Sequence, residues 1–223
     1  MTFSIAARCP ETGQFGVAIS SSSPCVASRC AFTRAGVGAA LSQNITDPRL
    51  GDAMLDALAI GRNAAEAVAG AVGGTRHGDW RQLLLVGKVG DPVIFTGTQA
   101  LGVCGQQLGT DCAAAGNLLA NESVPAAMVE AFEASSGSLA ERLLVALQAA
   151  VAAGGEAGPV HSMGVKVVGD VSWPIIDLRV DWSEDPMADM LTLWEVYKPQ
   201  VEAYVTRGLN PDNSPSYGVS GDL

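Results

Sequence analysis

Paired helical segments lie between groups of strand-like segments along this chain, and that grouping limits the fold more than any other feature. A parallel crossover needs one helix between two strands, so helices that come in pairs argue against βαβ units. They fit two mainly antiparallel sheets packed face to face with helices outside, an α+β arrangement. The strand signals begin at once. Phe3, Ile5 and Ala7 alternate with Ser4, Ala6 and Arg8, the period-two pattern of a strand. Pro10 to Gln14 supplies turn chemistry, and Phe15 to Ser20 returns as the second strand of a hairpin, ending in the hydroxyl run Ser20 to Ser23 before Pro24.

The remaining segments follow the same grouping. Gly36 to Ser42 reads as a buried strand of small residues. Leu50, Met54, Leu55 and Leu58 mark one helical face that stops at Gly61, and Asn63 with Glu66 predicts a capped helix over 63–72. Strands are expected at Gln82 to Val86, Pro92 to Phe95 and Ala113 to Leu119, with a Gly-rich stretch between the last two. A second helix pair carries Val124, Met128 and Phe132, then Leu143, Leu144, Leu147 and Val151 behind a Ser138/Glu141 capping box. Strands at His161 to Val168 and Pro174 to Val180 precede a last helix that opens at Asp185-Pro186 and must bend or restart at Pro199. No internal repeat or linker interrupts the chain, so one domain over 1–207 with a Gly-, Pro-, Asn- and Ser-rich tail over 208–223 is the expectation.

Composition narrows the function. Thirteen basic residues stand against 23 acidic ones, a net charge of −10, and no Lys/Arg cluster exists to replace phosphate counterions. Nucleic acid and anionic membrane surfaces are therefore not expected partners. No uncharged apolar stretch reaches the ~18 residues of a membrane span, and the start MTFSIAARCPETG lacks the layout of a secretion signal, so a cytoplasmic location is expected. Five cysteines without a C-x-x-C pair and two distant histidines, His77 and His161, predict neither a metal site nor a cofactor.

The chemistry-bearing candidate is Thr2. Removal of Met1 before a small residue leaves a free threonine amine, with an ordinary pKa of about 7.7–8.0, beside its own hydroxyl. One residue then carries both nucleophile and base. Asn117 or Asn44 could donate to a developing oxyanion, as could backbone amides near Ser20 to Ser23. The ordinary reading of each is a turn, cap or strand end, and that of the cysteines is small core residues.

The stretch TFSIAARCPETGQFGVAISSSSPCVASR resembles the start of proteasome β-subunits in its spacing. Over nearly its whole length the chain resembles the bacterial family catalogued as domain of unknown function 1028, placed among the N-terminal-nucleophile hydrolases. The matching segments include MTFSIAARCPETGQFGVAI, RAGVGAALSQ, RQLLLVGKVG, AAGNLLA and DLRVDWSEDP. The resemblance implies a four-layer αββα sandwich and hydrolysis of an amide or related carbonyl bond in a small-molecule or peptide-like substrate. It matches Thr2 to the nucleophile position, and Asn117 and Gln43 to polar positions that recur in the family; Asn117 and, from the hydroxyl run, Ser20 are the further catalytic candidates. Gln43, Asn44, His161 and Ser162 are candidates for substrate binding. Where the family has a Gly-Arg-Gln-Ser-Ala-like stretch this chain reads Gly158-Pro159-Val160-His161-Ser162: Ser162 keeps its place, the Arg and Gln are lost, and if those two bind substrate in relatives this protein has a different substrate or none. A homo-oligomer is expected by the same analogy. The alternative is a binding or scaffolding protein with this fold and no catalysis.

Overall fold

The computed structural model describes residues 1–221, so the last two residues of the expected tail lie outside the described residues. The chain opens with the hairpin β1 (Thr2–Cys9) and β2 (Gln14–Ser21). A short helix α1 (Val26–Cys30), strands β3 (Ala31–Arg34) and β4 (Gly38–Asn44), and the pair α2 (Arg49–Ala59) and α3 (Ala64–Gly73) follow. Four strands come next: β5 (Arg81–Gly87), β6 (Val93–Thr96), β7 (Gly105–Leu108) and β8 (Cys112–Asn117). The second pair is α4 (Val124–Ala134) and α5 (Leu139–Ala152), and β9 (Ser162–Val168) and β10 (Pro174–Val180) complete the strands. Helix α6 (Pro186–Tyr197) passes through a 3-10 turn at Lys198–Gln200 into α7 (Val201–Leu209).

The strands form two sheets, ordered β10-β9-β2-β1-β8-β7 and β3-β4-β5-β6, and every pairing in them is antiparallel. Three apolar layers hold the molecule together. Phe3 and Ile5 of β1 pack on Met128, Leu143 and Leu147 of α4 and α5. Ala6, Val17 and Ile19 face Leu41, Leu84 and Val86 of the other sheet. Ala40, Leu83 and Leu85 cover Leu50, Met54 and Val68 of α2 and α3. Helices, sheet, sheet, helices: the protein is a four-layer αββα sandwich. β5 is buried along its entire length because both of its faces are covered, which is why it reads as the unbroken apolar run Leu83 to Val86.

Helices α3 and α5 begin with the capping boxes that the sequence predicts, Asn63/Glu66 and Ser138/Glu141. Three elements differ from expectation. Helix α1 and strand β3 both lie between Pro24 and the expected Gly36 strand, where the sequence assigns no element. β7 emerges from the Gly-rich stretch as an exposed edge strand on β8. Helix α1 sits tightly on β9: a Cβ at Gly164 would fall 2.3 Å from that of Ala27. None of the described helices is long and apolar enough to cross a membrane.

Candidate functional site at the Thr2 end of the inter-sheet layer

Strand parity assembles the site. In β1 the even residues face the opposing sheet with Ala6, so Thr2 and Ser4 do too. In β4 and β5 the same face carries Ala39, Leu41, Leu84 and Val86, which places Gln43 and Gln82 between the sheets. Asn117 joins them from β8, directly opposite Thr2 in the register. At this end the inter-sheet layer therefore changes from Ala, Val and Leu to hydroxyls and amides. Ser4, Gln43, Gln82 and Asn117 are fully buried, and Thr2 is 5% exposed.

A buried amide must find partners, and these do. Ser4 Oγ donates to Gln43 Oε1 at 2.6 Å. Gln43 Nε2 donates to Gln82 Oε1 at 2.8 Å and to the Ala115 carbonyl at 3.3 Å. Gln82 Nε2 donates to Thr96 Oγ1 and to the Gly116 carbonyl, both at 3.0 Å. The two main-chain acceptors fix which way each glutamine amide points. Gln82 thus presents only its oxygen to Asn117, whose Nδ2 donates to it at 3.1 Å. Asn117 Oδ1 is left buried without a hydrogen-bond partner. The unused group of Asn117 is an acceptor, suited to an ammonium or hydroxyl proton and not to an oxyanion.

The carbonyl oxygen of Met1 is the focus of the hydroxyls. It accepts from Thr2 Oγ1 and, at 2.5 Å, from Ser21 Oγ. The Ser23 amide donates to Ser21 Oγ at 3.1 Å, and the Ser21 and Ser23 hydroxyl oxygens stand 2.8 Å apart. Behind Ser21, the Ser22 amide donates to both carboxylate oxygens of Glu156 at 3.1 Å each. Glu156 is 4% exposed. It arrives there because 155–157 pairs back on 118–120 through the Leu119–Glu156 bridge and the Ala120 N to Gly155 O and Ala157 N to Leu118 O bonds. Gly155 takes φ +58° at that point, and a Cβ on it would sit 3.3 Å from the Phe3 ring. Burial pushes the Glu156 carboxyl up to about 7, against the opposing pull of Ser22, the Met1 ammonium and His161.

Of the residues expected here, the structure brings Thr2 and Asn117 together and uses the others differently. Ser20 shares its face with Ala18, toward the helices, and its hydroxyl donates to the Ser162 carbonyl at 3.2 Å. Ser21, one residue on, is the serine that reaches the Met1 carbonyl. Gln43 has its polar atoms taken by Ser4, Gln82 and Ala115, so it organises the buried network and has nothing left for a ligand. Asn44, at φ 74°, ties two loops together through the Trp80 carbonyl and the Leu101 amide. Ser162 Oγ donates to the Ser23 carbonyl at 2.6 Å and accepts from the Val26 amide at 3.2 Å, holding the loop that follows Ser21. His161 stands just before β9, stacked on Trp182 with ring centroids 4.3 Å apart, and its Nδ1 lies 3.0 Å from the Ser183 carbonyl. Cys30 is buried against Thr46, and burial raises its thiol, the wrong direction for a nucleophile. Among the described residues no group of three or more His, Cys, Asp or Glu side chains could hold a metal ion.

Ser4 and Ser21 are legible from alternation once the strands are drawn, and Gln82 stands out as the polar residue leading into Leu83 to Val86. Nothing local in the sequence marks Glu156.

Two antiparallel sheets in an αββα sandwich, with a hydroxyl and amide cluster at one end of the layer between them, define the structural class. Within it, residues 2–190 match the model of a family of unknown function, domain of unknown function 1028, and the chain belongs to that family. A crystal structure of a Silicibacter pomeroyi protein of the same family is 30% identical, covering 88% of this chain and 89% of that chain at a TM-score of 0.82. The structure of Anbu, an ancestral β-subunit from Yersinia bercovieri, aligns with 91% of this chain and 97% of that chain at 13% identity and a TM-score of 0.42. No functionally curated protein matches the chain.

Proposed function

We propose that the protein is a hydrolase of the N-terminal-nucleophile type, which cleaves an amide or related carbonyl bond with Thr2 as nucleophile after Met1 is removed. One observation carries the reading: the carbonyl oxygen immediately before Thr2 is gripped by the Thr2 hydroxyl and the Ser21 hydroxyl together. A nucleophile and an oxyanion donor around one carbonyl are the two parts that acyl transfer needs. The freed Thr2 amine serves as base. Asn117 Oδ1, buried, unpartnered and opposite Thr2 in the register, is suited to hold a proton of that amine or hydroxyl.

A second reading, a binding or scaffolding protein without catalysis, is favoured by one specific feature. Thr2 is only 5% exposed, and its hydroxyl is bonded to the Met1 carbonyl. Intact-mass measurement of the protein from its native host separates the two. Complete retention of Met1 removes the base and defeats the hydrolase reading. In the trimmed protein, Thr2→Ala is expected to lower kcat by about 10³-fold or more with an unchanged circular dichroism spectrum. Equal activity in that variant would assign the chemistry to another residue.

A further inference from the structure

Met1 is informative beyond its bond to the Thr2 hydroxyl. An acyl group on the Thr2 nitrogen and one on the Thr2 Oγ are related by an N-to-O shift through a five-membered ring, so both fall in nearly the same place. The position of Met1 therefore maps where an acyl-enzyme would carry its acyl group, and its carbonyl already accepts from Ser21. What surrounds the rest of Met1 is selective. The buried Glu156 carboxylate stands beside the Ser21 donor, held through both oxygens by the amide of Ser22, the residue after Ser21. The methyl end of its side chain lies beside Gly158, where a Cβ would be 3.8 Å away. A buried carboxylate without a full cationic partner is unfavourable, and an incoming ammonium relieves that.

Resting on the reading of Thr2 as nucleophile, we propose that the space filled by Met1 is the acyl subsite of the mature protein and takes an aminoacyl group whose free α-ammonium faces Glu156. The substrate class is then an amino-acid amide or the N-terminal residue of a short peptide. Thr2 Oγ adds to the substrate carbonyl carbon while its proton passes to the Thr2 amine. The C–N bond breaks as that proton goes to the departing amine. Water then splits the Oγ–C ester, releasing the free amino acid and restoring the hydroxyl.

The test compares L-methioninamide with N-acetyl-L-methioninamide on trimmed protein, following ammonia release. The free-amine amide is expected to have a kcat/KM at least about tenfold higher, and Glu156→Gln should narrow that ratio to below about threefold. Equal or better hydrolysis of the acetylated amide overturns the subsite while leaving the hydrolase reading intact. Calorimetric binding of the same two amides to trimmed Thr2→Ala protein keeps the two ideas apart. A preference there of at least about tenfold for the free amine, without turnover by the parent protein, upholds the subsite and defeats only the hydrolase reading. No preference in binding, with or without turnover, sinks the subsite.

Discussion

The layer between the two sheets closes differently at its two ends. At the far end of β1, Arg8 donates through Nε to Asp111 at 2.7 Å and through one Nη to the carbonyls of Gly87 at 2.9 Å and Gly90 at 2.8 Å. A cavity of about 460 Å³ lies there, lined in part by Arg8, Phe15 and Lys88. At the Thr2 end there is a neutral amide network, an acceptor with no partner and a carboxyl displaced to about 7. The Arg8 end has the open space, and there the unmet group is a neutral hydroxyl, Thr33 Oγ1, two residues before the cavity-lining Ala35. The Thr2 end is buried and holds both an amide oxygen without a partner and a displaced carboxyl. The displaced carboxyl beside that acceptor, more than open volume, singles out the second end.

The largest thermodynamic contrast should come from Glu156. Its folded pKa is raised from an ordinary 4.5 to about 7, so between those pH values the folded chain keeps a proton that the unfolded chain has released. Stability must then fall as pH rises through that window, by up to about 3 kcal/mol. Glu156→Gln should remove this slope, as read by urea unfolding at pH 4.5, 6 and 7.5. Glu141 titrates with the opposite sign and elsewhere. Hydrogen bonding by Lys198 and Ser138 lowers it to about 2, so its contribution is present above 4.5 and lost only as pH falls toward 2. The two windows do not overlap. A parent protein with no loss of stability between pH 4.5 and 7 would make the Thr2 end as well matched as the Arg8 end.

Two adjacent serines sharpen the contrast on the activity side. Ser21→Ala removes the hydroxyl that grips the Met1 carbonyl and should lower kcat by about 10²-fold in trimmed protein. Ser20→Ala removes a buried bond to Ser162 on the other face, with a cost of about 1 kcal/mol in stability and kcat within about twofold of the parent. A reversed pattern in steady-state kinetics would move the site to the helix-facing side of the sheet.

That one-residue difference shows what the sequence makes legible and where it stops. Alternation along β1 and β2 contains the facing rule, and Phe15, Val17 and Ile19 point to Ser21 as surely as Phe3 and Ile5 point away from Thr2. The helix pairs were readable because Asn63/Glu66 and Ser138/Glu141 are local signals. Helix α1 was hidden because it has five residues, no side-chain cap and a left-handed Cys25 before it. β7 was hidden because Gly105-Gln-Gln-Leu108 buries little and is held by main-chain pairing to β8. Glu156 was illegible for a different reason. Its place depends on residues 118–120 and 155–157 meeting across the whole α4–α5 hairpin, and such non-local pairing leaves no spacing to read.

The Arg8 end offers the smallest effect and the most direct control. Arg8→Ala leaves Asp111, itself 27% exposed, able to turn to water, and the carbonyls of Gly87 and Gly90 lose one donor each. Solvent replaces part of what is lost, so the expected penalty is about 1–2 kcal/mol by denaturant midpoint. Turnover per folded molecule should stay at the parent value, because Arg8 and Thr2 are six residues apart on a rigid strand, with the packed Ala6 layer between them. Loss of activity in Arg8→Ala beyond its loss of folded protein would mean that the two ends are coupled through the inter-sheet core. The 460 Å³ cavity beside Arg8 would then be the place to look for what they share.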